Sequence, residues 1–291
     1  MRHIPRPTIA KMTVKFKLTT LDLSKQNLSG KLPYEISGLS NLQVIALQEN
    51  KLSRVIPEGF SSLTSLKYVN QSSNKFSGHV PRSYGFLRSL VVLSLSNNRI
   101  MGMIPPEIGN CPDIEILEVR SNYFRGPIHV DLSGLAHLKV LDLGKNNLTE
   151  ALPEDISKCS ELTVVSADHN QLSGAIPGSL AKLSHLTVLS LSTNKLSGEV
   201  PSNHMILGLD FLNTEESNLI GPIRTRHNAY THIGNTRQPK PQLKSSSCSS
   251  AIPSRNSRDV IISHNSRNAT CLTPIQATTQ GMHFKPQLKE H

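Results

Sequence analysis

Residues 189–201 read L-S-L-S-T-N-K-L-S-G-E-V-P, and near-copies of these thirteen positions stand at 141–153 and 165–177. The phrase recurs at a fixed period of 24 residues without insertion or deletion, and a ninth copy starts one residue early. A constant period of this length predicts a solenoid of stacked repeats, in which each repeat contacts only its neighbours. The nine first positions are Leu21, Ile45, Val69, Leu93, Leu117, Leu141, Val165, Leu189 and Leu212.

The apolar positions of the phrase predict the structure of one repeat. The first and third positions alternate with polar residues, which is the pattern of a short strand with one buried face. Each repeat should therefore add one strand to a parallel sheet, about 4.8 Å from its neighbour. The eighth and twelfth positions are apolar in all nine copies, so we expect them in the core. The sequence thus predicts an α/β leucine-rich-repeat solenoid with one parallel sheet and short 3-10 or turn segments opposite it.

Polar and special residues of the phrase also have structural assignments. A buried asparagine amide donates twice and accepts twice, so asparagine at the sixth position should bind the backbone where each strand ends. Glycine at the tenth position predicts positive φ, and proline at the thirteenth fixes φ. Arg54 and Glu150 replace the glycine and His129 replaces the proline, so we expect weak points there. The predicted asparagine ladder is Asn50, Asn74, Asn98, Asn122, Asn146, Asn170 and Asn194.

Charge divides the chain into three parts. The formal net charge of +10 comes from the flanks, since residues 1–20 carry +5, residues 223–291 carry +8 and the repeats between them carry −3. We predict a disordered basic segment at 1–13, the repeat domain at 14–223, and a low-complexity basic tail at 224–291 that is too polar to fold. A nucleic-acid partner would need basic residues clustered on an ordered surface, and none is predicted.

Several classes of function lack the residues that they need. No apolar stretch is long enough to cross a membrane, and the N-terminus lacks the apolar core of a secretory signal. Cys111 and Cys159 occupy positions held by leucine in other copies, so we expect buried core thiols and no metal site or cofactor. Asp168 and His169 are adjacent, but no serine or cysteine nucleophile stands with them in a recognisable motif. No catalytic residue is predicted.

The phrase L-x-L-S-x-N-x-L-S-G-x-I-P at this period resembles the plant-type repeats of receptor-like serine/threonine kinase ectodomains and of secreted polygalacturonase inhibitors. Residues 59–68, G-F-S-S-L-T-S-L-K-Y, and 105–111, P-P-E-I-G-N-C, look most like the receptor kinases. The resemblance implies a horseshoe wound into a right-handed superhelix, with a second short sheet built by the L-S-G-x-I-P part. It also implies non-catalytic recognition of a peptide or protein ligand, with a co-receptor as a further partner, at the extracellular face of the plasma membrane.

Some features of the family are missing from the chain. No G-x-G-x-x-G, H-R-D or D-F-G string follows the repeats, so phosphoryl transfer is not expected. No insertion interrupts the repeats, and no cysteine pairs cap the array. We therefore interpret the chain as an ectodomain fragment without its membrane helix and kinase domain. Two alternatives stay open: a secreted inhibitor of a cell-wall hydrolase, and a truncated gene product without independent function.

Recognition residues are expected between the buried leucines, on the concave face of the sheet. A connected stripe is predicted only where the candidates fall in adjacent repeats. The alternative is a solvated face whose opposite charges pair weakly. The ligand-binding candidates are Glu49, Tyr68, Glu118, Arg120, Asp142, Lys145, Asp168 and His169, and the candidates for N-glycosylation are Asn27, Asn70 and Asn147.

Overall fold

The computed structural model of the protein describes residues 2–3, 18–201, 209–220 and 230–233. Its main feature is a parallel sheet in which each strand pairs with the equivalent strand of the next repeat, from Leu21 beside Ile45 to Val165 beside Leu189. The predicted strand in each repeat is thereby confirmed. Within the described ranges the ten strands of this main sheet are Thr20–Asp22, Val44–Ala46, Tyr68–Asn70, Val92–Ser94, Ile116–Glu118, Val140–Asp142, Val164–Ser166, Val188–Ser190, Phe211–Thr214 and Tyr230–Ile233.

A second row of short strands follows the main sheet in each repeat, as the family resemblance implies. It forms a seven-stranded and a three-stranded parallel sheet in the part of the chain that the structure describes. The seven strands are Arg2–His3, Leu28–Gly30, Lys51–Arg54, Lys75–Gly78, Arg99–Gly102, Tyr123–Gly126 and Asn147–Leu148; the three are Ser173–Gly174, Lys195–Glu199 and Asn218–Ile220.

The tenth position of the phrase adopts the predicted left-handed backbone. Glycine has positive φ in six of the described copies, for example 84° at Gly198. Arg54 and Glu150 keep the same conformation, with φ of 75° and 65°, although an L-residue with a side chain is strained there. The row of second-sheet strands is divided between Asn147–Leu148, which ends two residues before Glu150, and Ser173–Gly174.

Short 3-10 helices complete the first seven repeats on the side away from the main sheet. Proline precedes six of the seven that lie among the described residues, and its fixed φ places the chain for the turn. The remaining helix, Val130–Gly134, is preceded by His129. Nδ1 of His129 accepts a hydrogen bond from the N–H of Asp131 at 3.3 Å, so a side-chain cap replaces the proline there. The helices are Tyr34–Gly38, Glu58–Ser62, Arg82–Phe86, Pro106–Asn110, Val130–Gly134, Glu154–Lys158 and Gly178–Lys182.

One continuous hydrophobic core runs between the main sheet and the 3-10 helices. The eighth-position side chains are buried in all nine copies, and the twelfth-position side chains are buried from Leu32 to Val200. Cys111 and Cys159 are buried free thiols within this core. Burial raises the pKa of each thiol to about 11, so neither is a reactive thiolate at neutral pH.

A polar side chain replaces a core leucine in the third repeat. Gln71 occupies a third position that is apolar in the other copies except the ninth, which has Thr214, and it is fully buried with Tyr84. The Gln71 amide faces the Tyr84 hydroxyl, but its Oε1 and Nε2 and that hydroxyl reach no hydrogen-bond partner among the described residues. Burial raises the pKa of Tyr84 well above its usual range. These unpaired polar atoms reduce the stability of the third repeat.

The asparagine ladder links each repeat to the one before it. Asn122 shows the pattern: its Oδ1 accepts from the N–H of Ile100 at 3.0 Å, and its Nδ2 donates to the carbonyl oxygens of Leu95 at 2.9 Å and Val119 at 3.1 Å. The other six members make the same three kinds of bond. Each amide therefore joins two strands at the point where the backbone leaves the main sheet.

Two short strands lie in segments for which the sequence predicts disorder. Arg2–His3 pairs with Leu28 and Ser29, and Tyr230–Ile233 pairs with Phe211–Thr214. The edge strand of a parallel sheet presents unpaired backbone groups, which bind any extended segment regardless of its sequence pattern. The rest of the segments 1–13 and 224–291, including Cys248 and Cys271, lies outside the described residues.

Candidate recognition surface

The side of the main sheet that faces away from the core is called the open face here; the resemblance places it on the concave side. Successive side chains of a strand point to opposite faces. In Tyr68–Asn70 and Ile116–Glu118 the central residue is buried in the core and its neighbours are half-buried, whereas all three residues of Val140–Asp142 and Val164–Ser166 are buried. The open face therefore carries the second and fourth positions and the residue before the first position. The predicted candidates Tyr68, Glu118, Arg120, Asp142 and Asp168 occupy these positions.

Arg120, Asp142, Ser166 and Asp168 form one hydrogen-bonded group, called the ion cluster. The guanidinium of Arg120 binds Asp168 through two bonds, Nη1 to Oδ1 at 2.8 Å and Nη2 to Oδ2 at 2.7 Å. Nη1 also approaches Oδ1 of Asp142 at 3.2 Å and Oγ of Ser166 at 3.1 Å. Arg120, Asp142 and Asp168 are only 6%, 3% and 3% exposed. The charges are thus paired and buried, which differs from the solvated face with weak pairing considered from the sequence.

Gly144 makes the bridge between Arg120 and Asp168 possible. All three residues occupy the fourth position, in three successive repeats, so Arg120 must cross one strand to reach Asp168. A Cβ on Gly144 would overlap the guanidinium of Arg120 and lie 2.8 Å from Oδ1 of Asp168. The missing side chain therefore leaves the channel in which the guanidinium lies.

The two aspartates of the cluster differ electrostatically because Arg120 holds them unequally. Burial alone would raise the pKa of Asp168, but the hydrogen bonds and charge of Arg120, with hydrogen bonds from Ser166 and His169, hold that pKa at about 2. Asp142 receives one longer contact from Arg120 and one from the N–H of Gly144 at 3.1 Å. Burial outweighs these contacts, and the pKa of Asp142 is raised.

Glu118 lies beside the ion cluster and adds a third carboxylate. Burial raises its pKa, a hydrogen bond from Ser94 offsets part of this rise, and the negative charge of Asp142 adds to it. Unlike Asp142 and Asp168, Glu118 is only half-buried. With all three carboxylates ionised, the single guanidinium leaves an excess of negative charge, and Glu118 is the member that solvent and a ligand can reach.

The predicted candidates at the fifth position do not stand on the sheet. Glu49, Lys145 and His169 have positive φ of 58°, 51° and 53°, which turns the chain away from the strand. Their side chains are exposed along one border of the open face. Nδ1 of His169 contacts Oδ2 of Asp168 at 2.9 Å, and Glu49 forms an exposed ion pair with Lys25 at 3.3 Å.

An apolar track runs along the open face beside the polar residues. It consists of the residues that precede the first position, and successive members are paired across strands, as Tyr68 with Val92 and Val92 with Ile116. Sequence reasoning selected only charged and aromatic candidates and so missed the aliphatic members, although they recur with the period. The track is Val44, Tyr68, Val92, Ile116, Val140, Val164, Val188 and Phe211.

The predicted glycosylation candidates differ in environment. Asn27 and Asn147 are exposed at the start of the second row of strands, where an attached glycan would project into solvent. Asn70 is half-buried on the open face, where its amide donates to the Tyr68 hydroxyl at 3.1 Å and accepts from Ser72. A glycan on Asn70 would cover part of the apolar track.

Two family models match the chain, and both describe leucine-rich repeats. One matches residues 16–76, and the other matches residues 89–111, 137–159 and 185–205. Both matches fall on the repeat array, and neither describes an enzyme domain. A search of curated proteins gave no significant match. No helix among the described residues has the length and apolar character needed to span a membrane.

Solved structures of plant proteins share this fold. The peptide hormone receptor RGFR1, in complex with RGF2, is 32% identical over 69% of this chain and 36% of its own, with a TM-score of 0.66. The ectodomain of the receptor kinase GASSHO1/SCHENGEN3 from Arabidopsis thaliana, in complex with CASPARIAN STRIP INTEGRITY FACTOR 2, is 34% identical over 69% and 24%, with a TM-score of 0.67. A plant ice-binding protein is 27% identical over 79% and 76%, with a TM-score of 0.67.

The chain spans much less than the full length of the receptor structures, from 24% to 41% of the first four. What it shares with them is the fold of its repeat array, with TM-scores of 0.64 to 0.67. This chain is a leucine-rich-repeat protein whose array is like those of plant receptor-kinase ectodomains.

Proposed function

We propose that the chain is a non-catalytic recognition module that binds an extended peptide on its open face, as part of signal perception at the outside of a plant cell. Among the structures that it resembles, the peptide hormone receptor RGFR1 was solved in complex with RGF2, and the ectodomain of GASSHO1/SCHENGEN3 in complex with CASPARIAN STRIP INTEGRITY FACTOR 2. The ice-binding protein has the same fold, so the fold alone does not select this function and the surface must support it.

The observation that carries the proposal is the junction between the apolar track and the ion cluster. Tyr68, Val92 and Ile116 lead along three successive strands to Glu118, which lies two residues after Ile116 on the same strand and the same face. Strands in a sheet lie about 4.8 Å apart, so this part of the track can contact several consecutive residues of an extended peptide. The track would bind apolar side chains of the ligand.

The ion cluster sets the charge of the ligand. Both Nη atoms of Arg120 donate to Asp168 or Asp142, and the side chain is buried, so the guanidinium is not accessible to a carboxylate ligand. Glu118 is half-buried, lies near Asp142 and lacks an ion pair within the described residues. A lysine, arginine or amino-terminal group of a peptide would supply the missing positive charge. The ligand class is therefore a peptide with a cationic residue next to apolar ones.

Selection from a phage-displayed library of random 12-residue peptides on the full chain tests this function. We expect the enriched sequences to share a lysine or arginine flanked by apolar residues. The same selection on the Glu118→Lys variant should lose that consensus, whereas selection on Glu154→Lys should keep it, because Glu154 is exposed on a 3-10 helix away from the open face. Enrichment of acidic peptides, or of none above the unselected library, would contradict the proposal.

A further inference from the structure

The second row of strands carries no acidic residue in the first five repeats. Positions seven to eleven read N-L-S-G-K at 27–31, K-L-S-R-V at 51–55, K-F-S-G-H at 75–79, R-I-M-G-M at 99–103 and Y-F-R-G-P at 123–127. The repeats as a whole carry a net charge of −3, so positive charge is concentrated here. The outer side of these five strands is called the lateral basic surface, and its cations are Lys31, Lys51, Arg54, Lys75, Arg99 and Arg125.

These cations are exposed and have no internal counter-ion in the described part of the chain. The ion pairs found there involve other residues, such as Arg82 with Glu107 at 3.2 Å and Lys139 with Glu115 at 2.9 Å. Later repeats differ, since Glu150 and Glu199 stand at the same positions of the phrase. The positive charge of the lateral basic surface is thus left for an external partner.

The spacing of the cations follows from the register of the strands. Ser29 pairs with Lys51, Ser53 with Lys75 and Ser77 with Arg99, so each strand is stepped by two residues relative to the one before. A strand separation of about 4.8 Å and a two-residue step of about 6.7 Å place successive cations about 8 Å apart. Alternate residues of an extended peptide are separated by about 7 Å, so carboxylates at every second residue would face successive cations.

Apolar groups accompany the cations and distinguish this surface from a simple polyanion site. Val55, Met101, Met103 and Tyr123 are exposed to 60%, 45%, 45% and 62%, which is unusual for large apolar side chains standing together. A groove of about 590 Å³ lies where this surface meets the 3-10 helices. Its lining includes His79, Val80, Met103 and Pro105, with two cations, Arg82 and Arg125, and one carboxylate, Glu58.

We propose that the lateral basic surface is a second interface, which binds an extended acidic segment of a partner protein. Alternating carboxylates of that segment would pair with Lys51, Lys75 and Arg99. An apolar residue beyond them would occupy the groove beside Met103. The inference does not rest on the peptide site of the open face, because none of these residues lies on the main sheet.

Fluorescence anisotropy with a labelled synthetic peptide tests the interface. The probe contains three glutamates at alternate positions followed by two leucines, and it is titrated with the full chain. Simultaneous replacement Lys51→Glu, Lys75→Glu and Arg99→Glu should weaken binding at least tenfold. Raising the salt concentration from about 50 to 500 mM should weaken it as well, because the charges are exposed. Met103→Ser should weaken binding of this probe about threefold or more.

The control variant carries the same change in charge on other exposed lysines, Lys67→Glu, Lys182→Glu and Lys195→Glu. Lys195 is informative because it holds the same position of the phrase as Lys51 in a later repeat. Circular dichroism checks folding, and a triple glutamine variant replaces the reversal if the reversal unfolds. Unchanged affinity in the test variant, or an equal loss in the control, would overturn the proposal.

A comparison with an acidic polysaccharide tests whether the lateral basic surface prefers a protein segment or binds any polyanion. Polygalacturonate, titrated under the same conditions, should bind more weakly than the leucine-containing peptide and should be insensitive to Met103→Ser. Equal or tighter binding of polygalacturonate would overturn the assignment to a protein segment. Glu118→Lys, which should remove the peptide site on the open face, should leave binding of the acidic probe unchanged. The failure of one proposed interface can therefore be distinguished from the failure of the other.

Discussion

Arg120 and Asp168 stand 48 residues apart in the chain and are joined by two hydrogen bonds of 2.8 and 2.7 Å. The bond passes over Gly144 on the strand between them and links the fifth repeat directly to the seventh. Both side chains are almost completely buried, with 7% and 5% of their surfaces exposed. The pair therefore tightens the array over three repeats, whereas backbone pairing joins only adjacent repeats.

Removal of one partner of this pair should destabilise the array strongly. Asp168→Ala leaves the guanidinium of Arg120 buried with only the longer contacts to Asp142 and Ser166, and we expect a loss of about 3–5 kcal/mol in the free energy of unfolding, measured in urea. Lys139→Ala is the matched control, since Lys139 pairs with Glu115 at 2.9 Å but both are over 40% exposed. It should cost no more than about 1 kcal/mol. Equal losses in the two variants would contradict the buried bridge.

A methyl group at Gly144 should have a similar effect without removing any charge. Gly144→Ala places a Cβ in the space of the Arg120 guanidinium, so we expect a loss of about 1–3 kcal/mol from overpacking. Gly178→Ala is the control, because a Cβ there would meet no atom within 4 Å. Chemical denaturation of both variants compares the two glycines. A Gly144→Ala variant as stable as the native chain would show that the channel is not needed.

Replacement of Gln71 by the residue type of other repeats should stabilise the chain. Gln71→Leu removes two buried polar atoms that have no partner in the described residues, and we expect a gain of about 1–2 kcal/mol in the free energy of unfolding. Tyr84→Phe added to this variant should raise stability again, because the buried Tyr84 hydroxyl is then removed as well. A loss of stability in Gln71→Leu would indicate that the amide is satisfied in solution.

The carboxylates of the open face should give the chain opposite pH dependences in two ranges. Asp168 has a folded pKa of about 2, so its contribution to stability is present above the ordinary aspartate pKa of about 3.9 and is lost as pH falls toward 2. Glu118 and Asp142 have raised pKa values in the folded chain. Their ionisation therefore opposes folding at neutral pH, and this opposition is relieved as pH falls through the raised pKa toward about 4.

The variant Glu118→Gln tests the pH dependence that comes from the raised pKa of Glu118. At pH 7.5 the variant should unfold at a temperature about 1–3 °C higher than the native chain, because it does not bury a charge next to Asp142. The difference should shrink to nothing near pH 4, where Glu118 is protonated in the native chain. Calorimetric scans from pH 4 to 8 check this expectation, and a difference independent of pH would contradict it.

The sequence predicts the repeat fold well because each recurring residue has one structural role. The first positions give the strands of the main sheet, and Asn122 shows how a sixth-position amide joins two repeats through backbone atoms alone. The end strands were harder to predict, since Tyr230–Ile233 pairs through its backbone with Phe211–Thr214 and follows no repeat pattern. Such pairing depends on an available sheet edge.

The sequence also placed Arg120, Asp142 and Asp168 on one face, but it did not show that they bind one another. The bond between Arg120 and Asp168 depends on Gly144, which has no side chain to block it. The importance of this glycine is visible in the sequence only when the repeats are aligned and their fourth positions are compared. The positive φ of His169 explains its contact with Asp168, which an extended strand would prevent. The net charge of the repeats is negative, so it gave no indication of the lateral basic surface. A net charge does not show where on the structure the positive residues lie.

The most direct test of the account is the affinity of the full chain for one peptide enriched by the library selection, measured by isothermal titration calorimetry. Glu118→Lys and Ile116→Ser should each weaken binding at least tenfold, because one reverses the accessible charge and the other interrupts the apolar track beside it. Glu154→Lys carries the same charge change on an exposed 3-10 helix and should bind like the native chain. Equal affinity of all four proteins for the peptide would contradict recognition at the open face.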